Sequence, residues 1–245
     1  MPPTKKEFPA LFLGFLQNPD CMEWRRLNAD SSFLVKHGSH HLVIDPWLMG
    51  AQTDLAPWFS KQSLPDYQPG FHALPQDFEV FISHPFTDHF HEPTLKKLGE
   101  KRILGKEKKV KSWASGPIQI RKYGHALLHS LFEFHTPDTG ERVLYSPHGY
   151  RLTHDAPAPG ARLWLTGLQK YTLPWWLGGT ISGGIPWLEA GIKQLQPQHF
   201  SHVHGTEKEA SGLVARWAKI QPFDPKDLPK EHERKYLPLP SNDWF

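Results

Sequence analysis

The sequence predicts a mixed α/β protein with helices packed outside its sheets, and three observations carry that expectation. Residues Glu79 to Trp113 read as strand, helix, strand, helix. Three short strands divided by turn residues follow between Ile118 and Tyr145. From Arg162 to Ile220 the pattern alternates again, strand, helix, strand, helix.

Each element has a local reason. Ser32 to Lys36 and His41 to Ile44 are short runs of apolar and β-branched residues on either side of Gly38 and Ser39, which predicts a hairpin. Asp45, Pro46 and Trp47 end it. The Trp-, Pro- and Phe-rich stretch on to Ala73 has neither helical nor strand period, so it is expected to be a long ordered loop covering one face. Glu79 to Ser83 is apolar enough for a buried strand, with Glu92 to Leu98 a short helix, Arg102 to Leu104 a strand and Glu107 to Trp113 a second helix. Strands are expected at Ile118 to Lys122, Leu127 to Phe134 and Arg142 to Tyr145, with Pro137 to Gly140 as the turn between the last two. Arg162 to Thr166 reads as a strand, Pro186 to Leu195 as a helix with proline in its first turn, Phe200 to Val203 as a strand and Glu207 to Ile220 as a closing helix.

Composition narrows the class of function. The 245 residues suit one domain, with a proline-rich, charged tail from about 221. With 38% apolar residues, 10 Trp and 15 Phe, aromatic side chains carry much of the burial. A formal charge of +3 is small, and the lysines gathered between Lys96 and Lys111 read as a solvated face, so no nucleic-acid partner is expected. Cys21 stands alone, which excludes an intrachain disulfide and a cysteine-based zinc knuckle. The apolar run Phe8 to Leu16 lacks a small-residue cleavage site and is followed by Asn18, Pro19 and Asp20, so a short amphipathic helix is expected there. No segment reaches the roughly 20 apolar residues of a membrane span. A cytoplasmic protein acting on a small molecule, without membrane attachment, is the expectation.

The chemistry concentrates in Ser83-His84-Pro85-Phe86-Thr87-Asp88-His89-Phe90-His91, directly after the apolar strand. Three imidazoles and a carboxylate within eight residues offer the nitrogen and oxygen donors that suit zinc, iron or manganese. Any one of these histidines could merely be exposed, and Asp88 could cap the following helix. The cluster, taken with histidines ending later strands, points to a metal site.

The segment resembles the His-x-His-x-Asp-His signature of the metallo-β-lactamase superfamily, in the form His84-x-Phe86-x-Asp88-His89. Phe33 to Trp47 resembles that family's opening strand pair ending in aspartate, Arg142 to Gly149 its strand bearing a bridging ligand, and Trp187 to Gly205 its late helix and strand delivering a final histidine. The resemblance implies a four-layer αββα sandwich and a metal centre held by His84, Asp88, His89, His148 and His204. Phe86 replaces one histidine ligand, and His148 stands where a bridging carboxylate is usual. One divalent ion per chain is therefore expected, zinc foremost, with iron or manganese as alternatives. His125 and His202 are further candidate ligands. Asp45 would either orient a ligating histidine or satisfy backbone amides at its turn. His129 and His135 read as residues of a half-exposed strand, and His37, His40 and His41 as hairpin surface. The run Trp164 to Gly184 would cover either the site or the core.

The resemblance implies a hydrolase in which a metal-activated water attacks an ester, amide or phosphate, with Asp88 orienting or deprotonating that water. An iron-dependent oxidoreductase on the same fold, and a non-catalytic relative with a decayed site, are the alternatives.

Overall fold

In the computed structural model, residues 21–107, 110–124, 128–151, 153–204, 208–239 and 244–245 are described. The expected helix at Met1 to Gln17 and the candidate ligand His125 lie outside them.

Two sheets pack face to face. The first joins β1 (Glu23–Arg26), β2 (Phe33–His37), β3 (His40–Ile44), β6 (Glu79–Phe81) and β7 (Ile103–Leu104) in that order. The second runs β15 (His199–Val203), β12 (Leu163–Gly167), β11 (Glu141–Ser146), β10 (Leu131–Thr136), β9 (Ile118–Tyr123) and β8 (Ser112–Ser115). Side chains alternate across each pleat, which decides what they bury. Phe33, Val35, Leu42 and Ile44 meet Phe132, Phe134, Val143, Tyr145, Leu163 and Leu165 in the central core. The residues between them point outward. Leu34 and Val43 pack under Phe71 and Leu74, which belong to the long segment between β3 and β6. Leu131, Leu144 and Trp164 pack under Leu188, Ile192 and Leu195 of the long helix, residues Ile185–Leu195. A shorter helix, α1 (Glu92–Leu98), starts at His91, whose side chain caps it by accepting from the Thr94 amide; the longer one is α2.

The β2–β3 hairpin, α1 and α2 form where the sequence places them, and the turn at Pro137 to Gly140 joins β10 to β11. Among the described residues, two expected helices do not form. Within Glu107 to Trp113 the chain instead enters β8, which pairs antiparallel with β9. Trp113 packs edge-on against Phe81 at 5.5 Å, an apolar contact that a solvated lysine-rich helix would lose. Of the expected helix Glu207 to Ile220, the described residues from 208 on are divided into β16 (Glu209–Ser211), a five-residue helix α3 (Leu213–Trp217) and β17 (Lys219–Gln221). Gly212 makes the break, because its φ of +93° suits glycine and a Cβ there would stand 2.7 Å from the Phe59 carbonyl oxygen.

The expected loop after Asp45 holds β4 (Gln52–Asp54) and β5 (Ser60–Ser63), which join β16 in a three-stranded sheet. Another small sheet joins β14 (Thr180–Gly183), β13 (Lys170–Thr172) and β17. Described residues of the tail from 221 pack on the domain: Leu237 donates from its amide to the Phe200 carbonyl at 2.9 Å, and Phe245 enters the central core. His37, expected at the surface, is buried and reaches Asp138 at 3.0 Å, and His40 meets the Ser115 hydroxyl at 2.8 Å.

Candidate metal centre

The site lies where parallel neighbours end together. Strands β3 and β6 run parallel, so Asp45, just past β3, lies beside Ser83 and His84, just past β6. Strands β11, β12 and β15 are also parallel, so His148 and His204 emerge at the same end of the opposing sheet. Carboxyl ends of parallel strands are where unpaired loop residues can converge. Among the described residues, Asp88, His89, His148 and His204 form a group that could hold a metal ion, with one ligand atom from each lying within 4.8 Å of all the others.

Asp45 is wholly buried at a φ of +46°, which an aspartate tolerates better than most residues. One carboxylate oxygen accepts the Ser83 amide at 2.7 Å; the other accepts from His89 Nδ1 at 2.8 Å, the Ser83 hydroxyl at 2.5 Å and the Tyr145 hydroxyl at 2.7 Å. Asp45 therefore orients a histidine, and the backbone amide it satisfies is that of Ser83 on the neighbouring strand end, not one of its own turn. With Nδ1 protonated and held, His89 directs Nε2 at the site. His204 is set the same way by Asp30, whose Oδ1 lies 2.7 Å from its Nδ1. His204 Nε2 is buried and has no hydrogen-bond partner among the described residues.

Tautomer logic extends to His84. Ser83 has one hydroxyl proton and gives it to Asp45, so the Ser83 oxygen accepts from His84 Nδ1 at 2.7 Å. His84 Nε2 is left as a lone pair, buried and without a hydrogen-bond partner among the described residues. The His84 ring lies 5.0 Å from those of His89 and His148, outside the tight quartet but adjoining it. Phe86 stacks on His84 at 6.3 Å and meets His148 edge-on at 6.0 Å, so an apolar ring closes this side of the site. His202 is turned elsewhere: its Nδ1 accepts the Leu168 amide at 3.0 Å and its ring packs on Phe223.

Charge is arranged to keep most of the imidazoles neutral. Burial, reinforced by neighbouring imidazoles, pushes His84 and His148 well below the usual histidine range. His204 is lowered by burial against the pull of Asp30. Burial also works against protonated His89, but the Asp88 and Asp45 carboxylates outweigh it and raise His89 to about 9. Asp88 is held low: burial would raise it, and the positive fields of His89 and Lys208 prevail. Lys208 is a second cation of the site, 2.9 Å from Asp30 and 3.7 Å from Asp88, and despite burial these carboxylates raise it. Neither Asp30 nor Lys208 carries a readable sequence signal. Asp30 lies 174 positions from the histidine it holds.

The donor set fits a divalent cation of the zinc or iron kind. His89 Nε2 and His148 Nε2 lie 3.0 Å apart. Two nitrogens each roughly 2.0–2.1 Å from one ion are separated by about that distance. The neutral imidazoles, the carboxylate-held histidines and the orphaned Nε2 atoms all suit such an ion better than they suit each other.

The quartet opens into a cavity of about 160 Å³ between the two small sheets, with Asp88, His148, His204 and Lys208 as its floor. Tyr171 and Ile181 line it, so the run Trp164 to Gly184 serves both the core, through Trp164, and the site.

No family model matches the chain. A stretch of 84 residues is 34% identical to cytidine monophosphate-N-acetylneuraminic acid hydroxylase of Xenopus laevis, covering 32% of this chain. The chain spans only 14% of that relative's length by this match. Among solved structures it is similar to isothiocyanate hydrolase from Delia radicum gut bacteria, with a TM-score of 0.61 and 13% identity over 91% of this chain and 98% of that one. It is also similar to the metallo-β-lactamase fold protein YhfI of Bacillus subtilis, with a TM-score of 0.55 and 13% identity over 91% and 98% of the two chains. CmlA, a diiron β-hydroxylase from Streptomyces venezuelae, gives a TM-score of 0.55 at 12% identity over 77% of this chain and 45% of that one. The chain has the metallo-β-lactamase fold.

Proposed function

We propose that the protein is a metal-dependent hydrolase holding one divalent ion, zinc foremost, on Asp88, His89, His148 and His204, with His84 beside them. The observation that carries this reading is the pair of buried carboxylates, Asp45 and Asp30, that fix the tautomers of His89 and His204 and leave their Nε2 atoms converging with His148 and Asp88. A bound divalent ion supplies a Lewis acid and brings the pKa of a water into the neutral range.

The chain's own groups do the rest. Asp88, kept ionised by Lys208, accepts a hydrogen bond from the attacking water and takes its proton on the carboxylate. Lys208 is the cation nearest that carboxylate at the pocket floor, placed to meet negative charge on a bound ester, amide or phosphate. Asp45 and Asp30 hold the imidazoles so that their orientation costs no reorganisation during reaction.

The test is metal content by mass spectrometry on protein purified without a histidine tag, with Asp88→Ala and a panel of ester, amide and phosphoester substrates. About one ion per chain is expected, lost in the variant together with chelator-sensitive turnover. A wild-type chain without metal overturns the proposal.

A second reading, an iron-dependent oxidoreductase, is favoured by the resemblance to a hydroxylase and to a diiron β-hydroxylase. Imidazole and carboxylate donors suit iron as well. Metal analysis after anaerobic purification separates the two readings: iron, with oxygen uptake on exposure to air, supports the second.

A further inference from the structure

The same pocket has a second character, and it is apolar. Above the polar floor its wall is built by Ile181 of β14, Val214 and Ala215 of α3, and Ala218 and Ile220 beyond it. Ile220, which lines this opening, is itself exposed, and Trp217 and Trp58 lie on the segments that adjoin the wall residues Val214, Ala215 and Ala218. Apart from Val110, the large apolar side chains left exposed among the described residues are Leu55, Trp58, Trp175, Trp176, Trp217 and Ile220. They come from three segments that touch one another: the β4–β5 loop, the 3-10 turn Trp175–Leu177, and α3 with β17. The Leu213 amide donates to the Trp58 carbonyl at 3.0 Å, Trp176 and Trp217 pack edge-on at 5.0 Å, and Ile220 pairs with Tyr171 across the sheet.

Isolated exposed apolar residues are ordinary, but an exposed pair such as Trp176 and Trp217, packed together on the segment that supplies a cleft's apolar wall, marks a binding surface. Trp175 is 87% exposed and Trp58 is 68% exposed, so neither contributes much to the chain's own core. The wall is lined by short side chains, alanine twice, which leaves room along it. A pocket with an apolar wall and a few convergent polar groups at one end binds a ligand whose polarity is divided in the same way.

Resting on the hydrolase reading, we propose that the substrate is a single-chain amphiphile. Its polar, hydrolysable head lies at Asp88, His148 and Lys208, and its aliphatic chain runs along Val214, Ala215, Ala218 and Ile220 to the tryptophan rim. The metal-side histidines and Lys208 select a head that is anionic or becomes so during reaction, and the wall and rim remove the chain from water.

The test is calorimetric titration with butyl, octyl and dodecyl phosphate, each below its micelle-forming concentration, on metal-loaded and on chelator-treated protein. Affinity is expected to rise with chain length, approaching roughly fourfold per methylene where the chain is fully buried. Ala218→Trp, which fills the wall, is expected to flatten that dependence while metal content stays unchanged. Because a bulky residue there could upset folding, Ile220→Ser and Trp176→Ala serve as second variants, each expected to weaken dodecyl phosphate several-fold and leave butyl phosphate unchanged. Equal affinity for the three phosphates overturns the inference and leaves the hydrolase reading standing. So does a dimer, seen by light scattering, whose formation is abolished by Trp176→Ala, since a second copy would then cover the rim. Chain-length dependence in protein that cannot be loaded with metal at all supports the amphiphile while removing the hydrolase reading.

Discussion

Asp45 and His89 are 44 positions apart in the chain and 2.8 Å apart in the fold, wholly buried and joined through Nδ1 of the imidazole. The same carboxylate gathers Ser83 and Tyr145, so a single side chain orients one metal-facing ring and, through the Ser83 hydroxyl, a second. Asp45→Asn keeps the shape and removes the charge. It is expected to lower metal affinity roughly 10–100-fold, the usual consequence of losing a carboxylate behind a ligating histidine. Stability of the metal-free protein should fall by on the order of 1.5–3 kcal/mol, as charge-assisted bonds become neutral ones. Chelator competition and urea denaturation read the two effects separately. Unchanged metal affinity would show that His89 is not a ligand.

Metal binding should expel a proton. In the metal-free protein His89 titrates near 9 and is therefore charged at neutral pH, whereas a ligating Nε2 must be unprotonated. Metal affinity is expected to rise about tenfold per pH unit from 7 and to level off above 9. The sign for the metal-free fold is opposite. A histidine raised from the ordinary value of about 6.5 contributes stability fully below that value, and loses it as pH climbs through about 9. Calorimetry in buffers of different ionisation enthalpy counts the proton directly, and a count of zero at pH 7.5 contradicts the charged state of His89.

The parts legible in the sequence are those written locally. Alternation in Phe33 to Ile44 and Leu131 to Tyr145 marks which residues face the core, and the spacing of His84, Asp88 and His89 after a strand marks the site. His148 and His204 come into view through the resemblance of their segments to the family's later strands, and the structure brings them to Asp88 and His89 with His84 alongside. Asp30 and Lys208 were not legible, since their roles depend on loops meeting across the sandwich. The misplaced helices have the same cause. Glu107 to Trp113 has lysines that suit a helix, but pairing with β9 and the Trp113–Phe81 contact prevail. Glu207 to Ile220 has helical residues on both sides of Gly212, whose φ is decided by close contact with Phe59.

Gly167 ties the sheet to the site. It ends β12 beside the turn that carries His148, and a Cβ added there would lie 2.3 Å from the Pro147 carbonyl oxygen. The obstacle is backbone, so Gly167→Ala must displace the Pro147–His148 turn or the strand end. Metal affinity is expected to drop at least tenfold while the far side of the sandwich, read by hydrogen exchange at β1 and β2, keeps its protection. Full metal occupancy in this variant would show that the turn can shift without moving the imidazole out of reach.

Phe86 bears on whether a second ion can be held. Its ring lies against His84 and His148, and His84 offers a buried Nε2 with no hydrogen-bond partner among the described residues. Phe86→His sets another nitrogen donor beside that lone pair and removes an apolar ring from the margin of the site. The expected result is a rise from about one to about two ions per chain by mass spectrometry, the second held more weakly because His148 is neutral where a bridging carboxylate would help hold two cations. New or faster turnover in this variant would mean the groups around Asp88 and Lys208 are already arranged for chemistry. A second ion bound without turnover would favour a site that holds metal for structure, and unchanged stoichiometry would place His84 among the residues that only support the quartet.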